Sequence, residues 1–212
     1  MAKINKVHNL IDLECCNKKI ETFYAKWASS YNQDLANIYF APHYISQLLI
    51  NYLKQINTKA NQLSLIDAGC GTGLVGSVLA KHNLKKIDGF DLSSNMINQA
   101  KKQNIYQELK ANVDLTQVFR QYEKQSYDIV ICCGVFTLGH VSASALQQLV
   151  YLCKPGGIIL LSTRVDYYQN SQYQKIQDKL IQEKQLMLHH CIKDAPYTTE
   201  SHAHYWLYQV SH

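Results

Sequence analysis

The chain has 212 residues, of which 47% are hydrophobic and 17% charged, so it is long enough for one domain with a sizeable core and short for two. No apolar run approaches the ~18 residues that a membrane span requires, and the N-terminus lacks the apolar core of a secretory signal. The formal net charge of +5 is carried by scattered basic pairs, which argues against a nucleic-acid partner.

The seven cysteines are an odd number and include no C-x-x-C spacing, so we expect reduced thiols and no metal site. Reduced thiols are typical of the cytoplasm, and we expect a cytoplasmic protein that is a monomer or a homodimer. The adjacent pair Cys132 and Cys133 lies in an apolar run and is predicted to belong to a strand.

Two helices are predicted before the first strand. Residues 1–20 show no hydrophobic period, and we expect them to be partly ordered at best. From Glu21 a helical pattern spaces aromatic residues three and four apart, namely Phe23, Tyr24, Trp27 and Tyr31. This aromatic stripe either packs on the core or covers a ligand. After Ala41-Pro42 a second helix carries an apolar face of Ile45, Leu48, Leu49, Tyr52 and Ile56.

The segment 63–76 predicts a buried strand, a tight turn and a helix. Apolar residues lead into Asp67, and Gly69, Gly71 and Gly73 then alternate with small side chains. Glycine permits positive φ angles and a close approach of a ligand, and the free N–H groups of the following helix face that ligand. A nucleotide-like ligand is therefore predicted at this turn.

Two classes of ligand compete for the turn. Gly71, Gly73 and Gly76 fit the dinucleotide spacing, with Asp91 about 20 residues further along for a ribose. A dinucleotide, however, would bring a pyrophosphate about 4 Å from Asp67, a repulsion of roughly 4 kcal/mol at an effective dielectric constant of about 20. S-adenosylmethionine (SAM) has no phosphate, and its ammonium and sulfonium groups would be attracted to Asp67. SAM is therefore the preferred ligand.

Two further strands are expected after the turn. Residues 86–91 form a strand that ends in Asp91, and Ser93 caps the following helix. The Asp91 carboxylate can accept hydrogen bonds from both ribose hydroxyls, although a solvated acid at a strand end fits the same pattern. Residues 109–114 predict a short third strand ending near Asp114.

The rest of the chain predicts a central strand, a fifth strand and a closing hairpin. Residues 127–134 form a continuous apolar run, which is typical of a strand covered on both faces. Ser142 or Ser144 caps the next helix, and residues 158–163 form the fifth strand. A helix around Tyr173, Ile176 and Leu180 precedes two strand-like runs, at about 186–193 and 204–210, which we expect to pair antiparallel.

These motifs carry a family resemblance. The segment from Asp67 to Gly73 resembles the first motif of class I SAM-dependent methyltransferases. Residues 27–31, 71–76, 113–117 and 134–141 are similar to the Williams-Beuren syndrome region methyltransferase-like proteins and their bacterial relatives. The resemblance implies an α/β fold with a doubly wound, mostly parallel seven-stranded sheet (Rossmann-like, order 3-2-1-4-5-7-6), an antiparallel closing hairpin and N-terminal lid helices.

The resemblance also implies a single domain over residues 1–212, with a flexible segment at 1–20, lid and N-terminal helices at 21–60 and a SAM-binding core at 62–212. The expected cofactor contacts are Trp27, Tyr31, Asp67, Gly69, Cys70, Gly71, Gly73, Asp91, Leu92, Met96, Asp114, Leu115, Cys133 and Gly134. The expected substrate contacts are Tyr24, Phe136, His140 and Arg164. In this family an acid at the position of Asp114 accepts from the adenine amino group, although the segment is one residue longer here.

The expected activity is methyl transfer from SAM to a small-molecule acceptor, with S-adenosylhomocysteine (SAH) as the second product. The reaction is an in-line displacement that relies mainly on alignment. His140 is the candidate general base, although it could equally be a loop histidine bonded to backbone. The alternatives are a SAM-binding regulatory protein without turnover and a nucleic-acid or protein methyltransferase. No Asn-Pro-Pro-Tyr motif follows the fourth strand, which disfavours base modification.

Overall fold

The computed structural model describes residues 17–211, so most of the segment expected to be flexible, at 1–16, lies outside the described residues. The helices are α1 Asn17–Trp27, α2 Tyr31–Leu35, α3 Ala41–Gln55, α4 Leu74–Ala80, α5 Ser94–Lys101, α6 Ala145–Leu152, α7 Val165–Asn170 and α8 Tyr173–Gln182. The strands are β1 Leu65–Ala68, β2 Ile87–Asp91, β3 Leu109–Ala111, β4 Tyr127–Phe136, β5 Cys153–Arg164, β6 Leu186–Pro196 and β7 His202–Val210. Short 3-10 helices span Ala60–Gln62 and Leu115–Arg120.

The strands form one seven-stranded sheet in the order β3-β2-β1-β4-β5-β7-β6. The first five strands pair in parallel, and β7 pairs antiparallel with both β5 and β6. This is the order that the resemblance implies, and the predicted fold class is confirmed. Strand β1 lies between β2 and β4, so the sheet grows in opposite directions from that point, where ligands of open α/β sheets bind.

Helices cover both faces of the sheet, as the continuous apolar run in β4 predicted. Successive side chains of β4 alternate between two cores because strand side chains point to opposite faces. Ile129 and Ile131 belong to the core beneath α3 and α4, and Val130 and Cys132 belong to the core beneath α6 and α8. The ends of the central strands are thereby held between two packed layers.

Several predicted boundaries were wrong. Helix α1 covers Asn17–Trp27 in the described part of the chain and so includes residues before the predicted start at Glu21, and a turn at residues 28–30 separates it from Tyr31. Ile56 follows the end of α3 and is 46% exposed, so it does not belong to the buried face of that helix. Strand β3 ends at Ala111 because the next residue, Asn112, has a φ of 58° in the left-handed region.

The closing hairpin is longer than predicted. Strand β6 continues through Ala195 to Pro196, the pair that the sequence suggested as a connection, and β7 begins at His202. Pro196 is tolerated because β6 is the edge strand of the sheet and its outer side needs no backbone donor. The expected antiparallel pairing is confirmed, with Leu186 opposite Val210.

Cys132 and Cys133 are buried strand residues, as predicted. Five of the cysteines lie in the described part of the chain, and all five are free thiols there. Over the same residues, every helix is too short or too polar to cross a lipid bilayer.

Candidate functional site

A cavity opens at the carboxyl ends of β1, β2 and β4, beneath helices α1 and α2. Its floor is the turn between β1 and α4, where Gly69, Gly71 and Gly73 have φ angles of 75°, 55° and 89°. Apart from its two chain neighbours, no atom of residues 17–211 lies within 4 Å of the position that a Cβ on Gly71 would occupy. A ligand can therefore approach the backbone at Gly71, as the glycine pattern predicted.

Asp67, the last acid of β1, is 1% exposed and lines the cavity. The Tyr106 hydroxyl donates to its Oδ2 at 2.8 Å, while its Oδ1 has no hydrogen-bond partner among residues 17–211. Burial raises the pKa of Asp67 to about 7, although the hydrogen bond from Tyr106 acts in the opposite direction. A cationic ligand group in the cavity would satisfy Oδ1 and favour the ionised carboxylate.

Asp91 ends β2 and is fixed by the backbone. Its Oδ2 accepts from the Gly71 amide at 2.9 Å, and its Oδ1 accepts from the Ser93 amide at 2.8 Å. Burial raises the pKa of Asp91, and the backbone hydrogen bonds oppose that rise. Ser93 caps α5 as predicted, since its hydroxyl accepts from the Met96 amide at 3.3 Å. Asp91, Leu92 and Met96 all line the cavity.

Asp114 lies beyond the end of β3 and caps the 3-10 helix Leu115–Arg120. Its Oδ1 accepts from the backbone amide of Thr116 at 2.8 Å and from the Thr116 hydroxyl at 2.7 Å. The cap holds Asp114 and Leu115 at the cavity wall, next to Val113. Three neighbouring strands thus each deliver a carboxylate to the same cavity.

Helices α1 and α2 cover the cavity through Ile20, Tyr24 and Tyr31. The Tyr24 hydroxyl forms a 2.9 Å hydrogen bond with Nε2 of His140, which joins the helical cover to the loop after β4. The Asn95 side chain also donates to the carbonyl oxygen of Ala25 at 3.3 Å. The aromatic stripe therefore covers the cavity while it packs on the body of the protein.

Both ring nitrogens of His140 form hydrogen bonds. Its Nδ1 lies 2.6 Å from the Thr137 hydroxyl and 3.2 Å from the carbonyl oxygen of Leu138. Because a carbonyl oxygen only accepts, its hydrogen bond assigns the proton to Nδ1 and leaves Nε2 to accept from Tyr24. Burial lowers the pKa of His140, and the positive charge of Arg164 lowers it further. The imidazole is therefore neutral at pH 7, with a basic nitrogen at the cavity.

Most of the predicted contacts lie at this cavity, and four do not. Trp27 is 4% exposed, packs on Tyr31 with ring centroids 4.7 Å apart and donates from Nε1 to Asp34 Oδ2, so it lies behind the lining residues. The Cβ position of Gly73 faces the Tyr106 ring at 3.0 Å instead of the cavity. Neither residue is part of the cavity wall.

The other two residues that lie outside the cavity wall, both predicted substrate contacts, are at the ends of β4 and β5. Phe136 lies on the same face of β4 as Val130 and Cys132, in the core beneath α6 and α8, although the pairing of β4 with β5 shifts between Cys132 and Phe136. Phe136 is fully buried against Tyr167 and Tyr173, so it is not available to a substrate. Arg164 forms a 2.9 Å ion pair with Asp166 outside the cavity wall, although its charge reaches His140.

The sequence interpretation missed Tyr39, Pro42 and Tyr106. Tyr39 and Pro42 line the cavity, and the Tyr39 hydroxyl lies 3.8 Å from the sulfur of Cys133. In the sequence, Ala41-Pro42 indicates the start of a helix and gives no sign that Pro42 lines a cavity. Tyr106 lies in an irregular loop, where no hydrophobic period could have indicated its contact with Asp67.

Comparison with known proteins gives a consistent set of matches. A family model described as a methyltransferase domain matches residues 59–210. Methyltransferase-like protein 27 of Homo sapiens is 31% identical over 176 residues, which are 82% of this chain and 67% of that protein. A ubiquinone biosynthesis O-methyltransferase of Hydrogenovibrio crunogenus is 32% identical over 127 residues, 58% of this chain and 51% of that protein.

Among solved structures, magnesium protoporphyrin IX methyltransferase from Synechocystis PCC 6803 with bound SAM aligns with a TM-score of 0.59, at 19% identity and over 78% of each chain. At 19% identity, this similarity shows only that the two proteins share a fold. The chain spans about two thirds of the human relative and about half of the bacterial relative.

Proposed function

Since the chain belongs to the methyltransferase domain family, we propose that it binds SAM and transfers the methyl group to a small-molecule acceptor, with SAH as the second product. One observation carries the proposal. Asp67 and Asp91 lie in neighbouring strands, Asp114 follows the third strand, and all three line the cavity around a glycine turn that is open to a ligand at Gly71. The carboxylates match the ammonium, ribose and adenine amino groups of SAM, and a pyrophosphate would be repelled by Asp67.

The assignment of each acid follows from its surroundings. Asp67 has an unpaired buried oxygen, which suits the ammonium group. Asp91 is ordered by two backbone amides, and its remaining lone pairs can accept from ribose hydroxyls. Asp114 has apolar neighbours in Val113 and Leu115, which suit the faces of an adenine ring.

A small acceptor is favoured by the covering of the cavity. Helices α1 and α2 lie across it, and the Tyr24–His140 hydrogen bond closes it beside the loop after β4. A folded polymer would need these contacts to open. The names of the bacterial relatives refer to ubiquinone biosynthesis, which also favours a small molecule. Of the predicted substrate contacts, Tyr24 and His140 line the cavity, and Tyr39 and Cys133 line it as well.

His140 is the proposed general base where the acceptor carries a proton on its nucleophilic atom. Bound SAM supplies the electrophilic methyl group. Nε2 is neutral and takes the proton either from the acceptor directly, after Tyr24 has moved aside, or through the Tyr24 hydroxyl. The hydrogen bond from Nδ1 to the carbonyl oxygen of Leu138 keeps the ring oriented and stabilises the imidazolium that forms. Alignment in the closed cavity contributes the larger part of the rate.

Ligand-dependent thermal stability tests the cofactor. SAM and SAH should raise the melting temperature and NAD and NADP should not, because a ligand that binds only the folded protein stabilises it. Isothermal titration calorimetry on the same ligands gives the affinities. An equal shift with NAD, or no shift with either SAM or SAH, would contradict the proposal. Binding of SAM without turnover on any acceptor would instead favour a regulatory role.

A further inference from the structure

We propose that Tyr106 is a positioning residue of the SAM site, which holds Asp67 through Oδ2 so that Oδ1 is presented to the ammonium group of the ligand. This inference rests on the proposed function. Tyr106 lies in the loop between α5 and β3 and does not line the cavity, so it acts through Asp67 rather than by contact with the ligand.

The Tyr106 ring occupies a notch formed by glycines of two different elements. A Cβ on Gly76 of α4 would lie 2.5 Å from the Tyr106 oxygen, and a Cβ on Gly89 of β2 would lie 2.9 Å from the ring. The backbone of Gly76 also lies near the phenol and lowers its pKa, against the larger effect of burial. Gly76 is the third glycine of the spacing that resembled a dinucleotide fingerprint, and here its missing side chain makes room for Tyr106.

This packing leaves the two oxygens of the Asp67 carboxylate in different environments. Oδ2 of Asp67 accepts from the Tyr106 hydroxyl at 2.8 Å, and this bond fixes the rotation of the carboxylate plane. Oδ1 is buried and has no partner in the described chain. A buried acceptor without a donor destabilises the ligand-free protein, and a cationic group entering the cavity removes that penalty.

The groups around Asp67 define how its charge responds to pH. Burial raises its pKa to about 7, the Tyr106 hydrogen bond lowers it and the negative charge of Asp91 raises it. The thiols of Cys70, Cys132 and Cys133 also face it, and burial raises the pKa of each thiol, so all three are neutral at pH 7. Removing the hydroxyl of Tyr106 therefore raises the pKa of Asp67 and lowers the ionised fraction of the carboxyl at pH 7.

The test is SAM affinity as a function of pH for the wild type and Tyr106→Phe. If the hydrogen bond changes the pKa of Asp67 by about one unit, the variant should bind SAM about fivefold more weakly at pH 7 and less than about 1.5-fold more weakly at pH 8.5. The titration of the ligand's own amine affects both proteins equally and cancels in this ratio. A loss of packing would weaken binding by the same factor at both pH values.

Two further variants complete the design. Tyr173→Phe removes another buried hydroxyl, one that bonds Tyr208 in the opposite core, and it should leave the pH profile of binding unchanged. In an Asp67→Asn background the additional change Tyr106→Phe should have no pH-dependent effect, since its action passes through the carboxylate. A pH-independent ratio for Tyr106→Phe, or equal affinities at pH 7, would overturn the inference.

Titration of the Asp67 carboxyl by ¹³C NMR in the ligand-free protein separates this inference from the proposed function. The midpoint should be higher in Tyr106→Phe than in the wild type, whether or not SAM is the ligand. An unchanged midpoint would refute the positioning role. A wild-type protein that fails to bind SAM at any pH would refute the proposed function, and the carboxyl titration would still report on Tyr106.

Discussion

The hydrogen bond between Tyr24 and His140 should control the opening of helix α1. Tyr24→Phe removes the 2.9 Å contact of its hydroxyl with Nε2 while it keeps the ring that stacks on Trp27. A neutral hydrogen bond contributes about 1 kcal/mol, so the population of the open form should rise about fivefold in the ligand-free protein. If the closed form holds SAM, the affinity for SAM should fall by up to the same factor.

Hydrogen exchange of the amides in residues 23–27 measures this opening. We expect those amides to exchange about fivefold faster in Tyr24→Phe, and SAM to protect residues 23–31 in the wild type. Tyr151→Phe is the matched control, because its hydroxyl bonds the carbonyl oxygen of Tyr122 away from the cavity. Unchanged exchange in Tyr24→Phe, or no protection by SAM, would refute the role of these helices as a lid.

Three other predictions concern single side chains. Asp91→Ala should make the free energy of SAM binding less favourable by about 1.5–3 kcal/mol, which is the range for hydrogen bonds to a charged group. Isothermal titration calorimetry measures this change. His140→Gln should lower kcat by about 10²–10⁴ and weaken SAM binding by no more than about fivefold, the limit set by the contact with Tyr24. At saturating SAM the wild-type kcat should fall only at pH values below the ordinary imidazole range, because burial lowers the pKa of His140 and the neutral ring is the base. Phe136→Ala should lower the free energy of unfolding by about 3–5 kcal/mol in urea titrations and leave KM unchanged.

A specific result would contradict each of these three predictions. A folded Asp91→Ala protein with normal SAM affinity would show that the acid serves only the turn. A normal rate in His140→Gln would leave the histidine as a structural residue that holds Tyr24. A raised KM in Phe136→Ala, with little loss of stability, would show that Phe136 contacts the substrate.

The sheet was predictable because its signals are local and strong. The apolar run of β4 identified the central strand, and Asp67 and Asp91 were each predicted near the end of a short strand. The strand order came from the resemblance to methyltransferases, which the family match confirms. Periodicity alone does not define which strands are neighbours.

The side of the cavity beneath the lid was less predictable. Trp27 packs on Tyr31 and donates to Asp34 behind the cavity wall, although helical spacing groups it with Tyr24. Phe136 lies on the face of β4 beneath α6 and α8, against Tyr167 and Tyr173. Tertiary contacts decide what each of these rings packs on, and they leave no periodic signal in the sequence.

The most direct test of the account is methyl transfer itself. The full chain is incubated with SAM carrying an isotopically labelled methyl group and a panel of small metabolites, and mass spectrometry follows SAH and the labelled product. The account predicts SAH formation that depends on one class of small acceptor, with the label on that acceptor. Label on RNA or protein and on no metabolite, or the absence of SAH with every acceptor despite tight SAM binding, would contradict it.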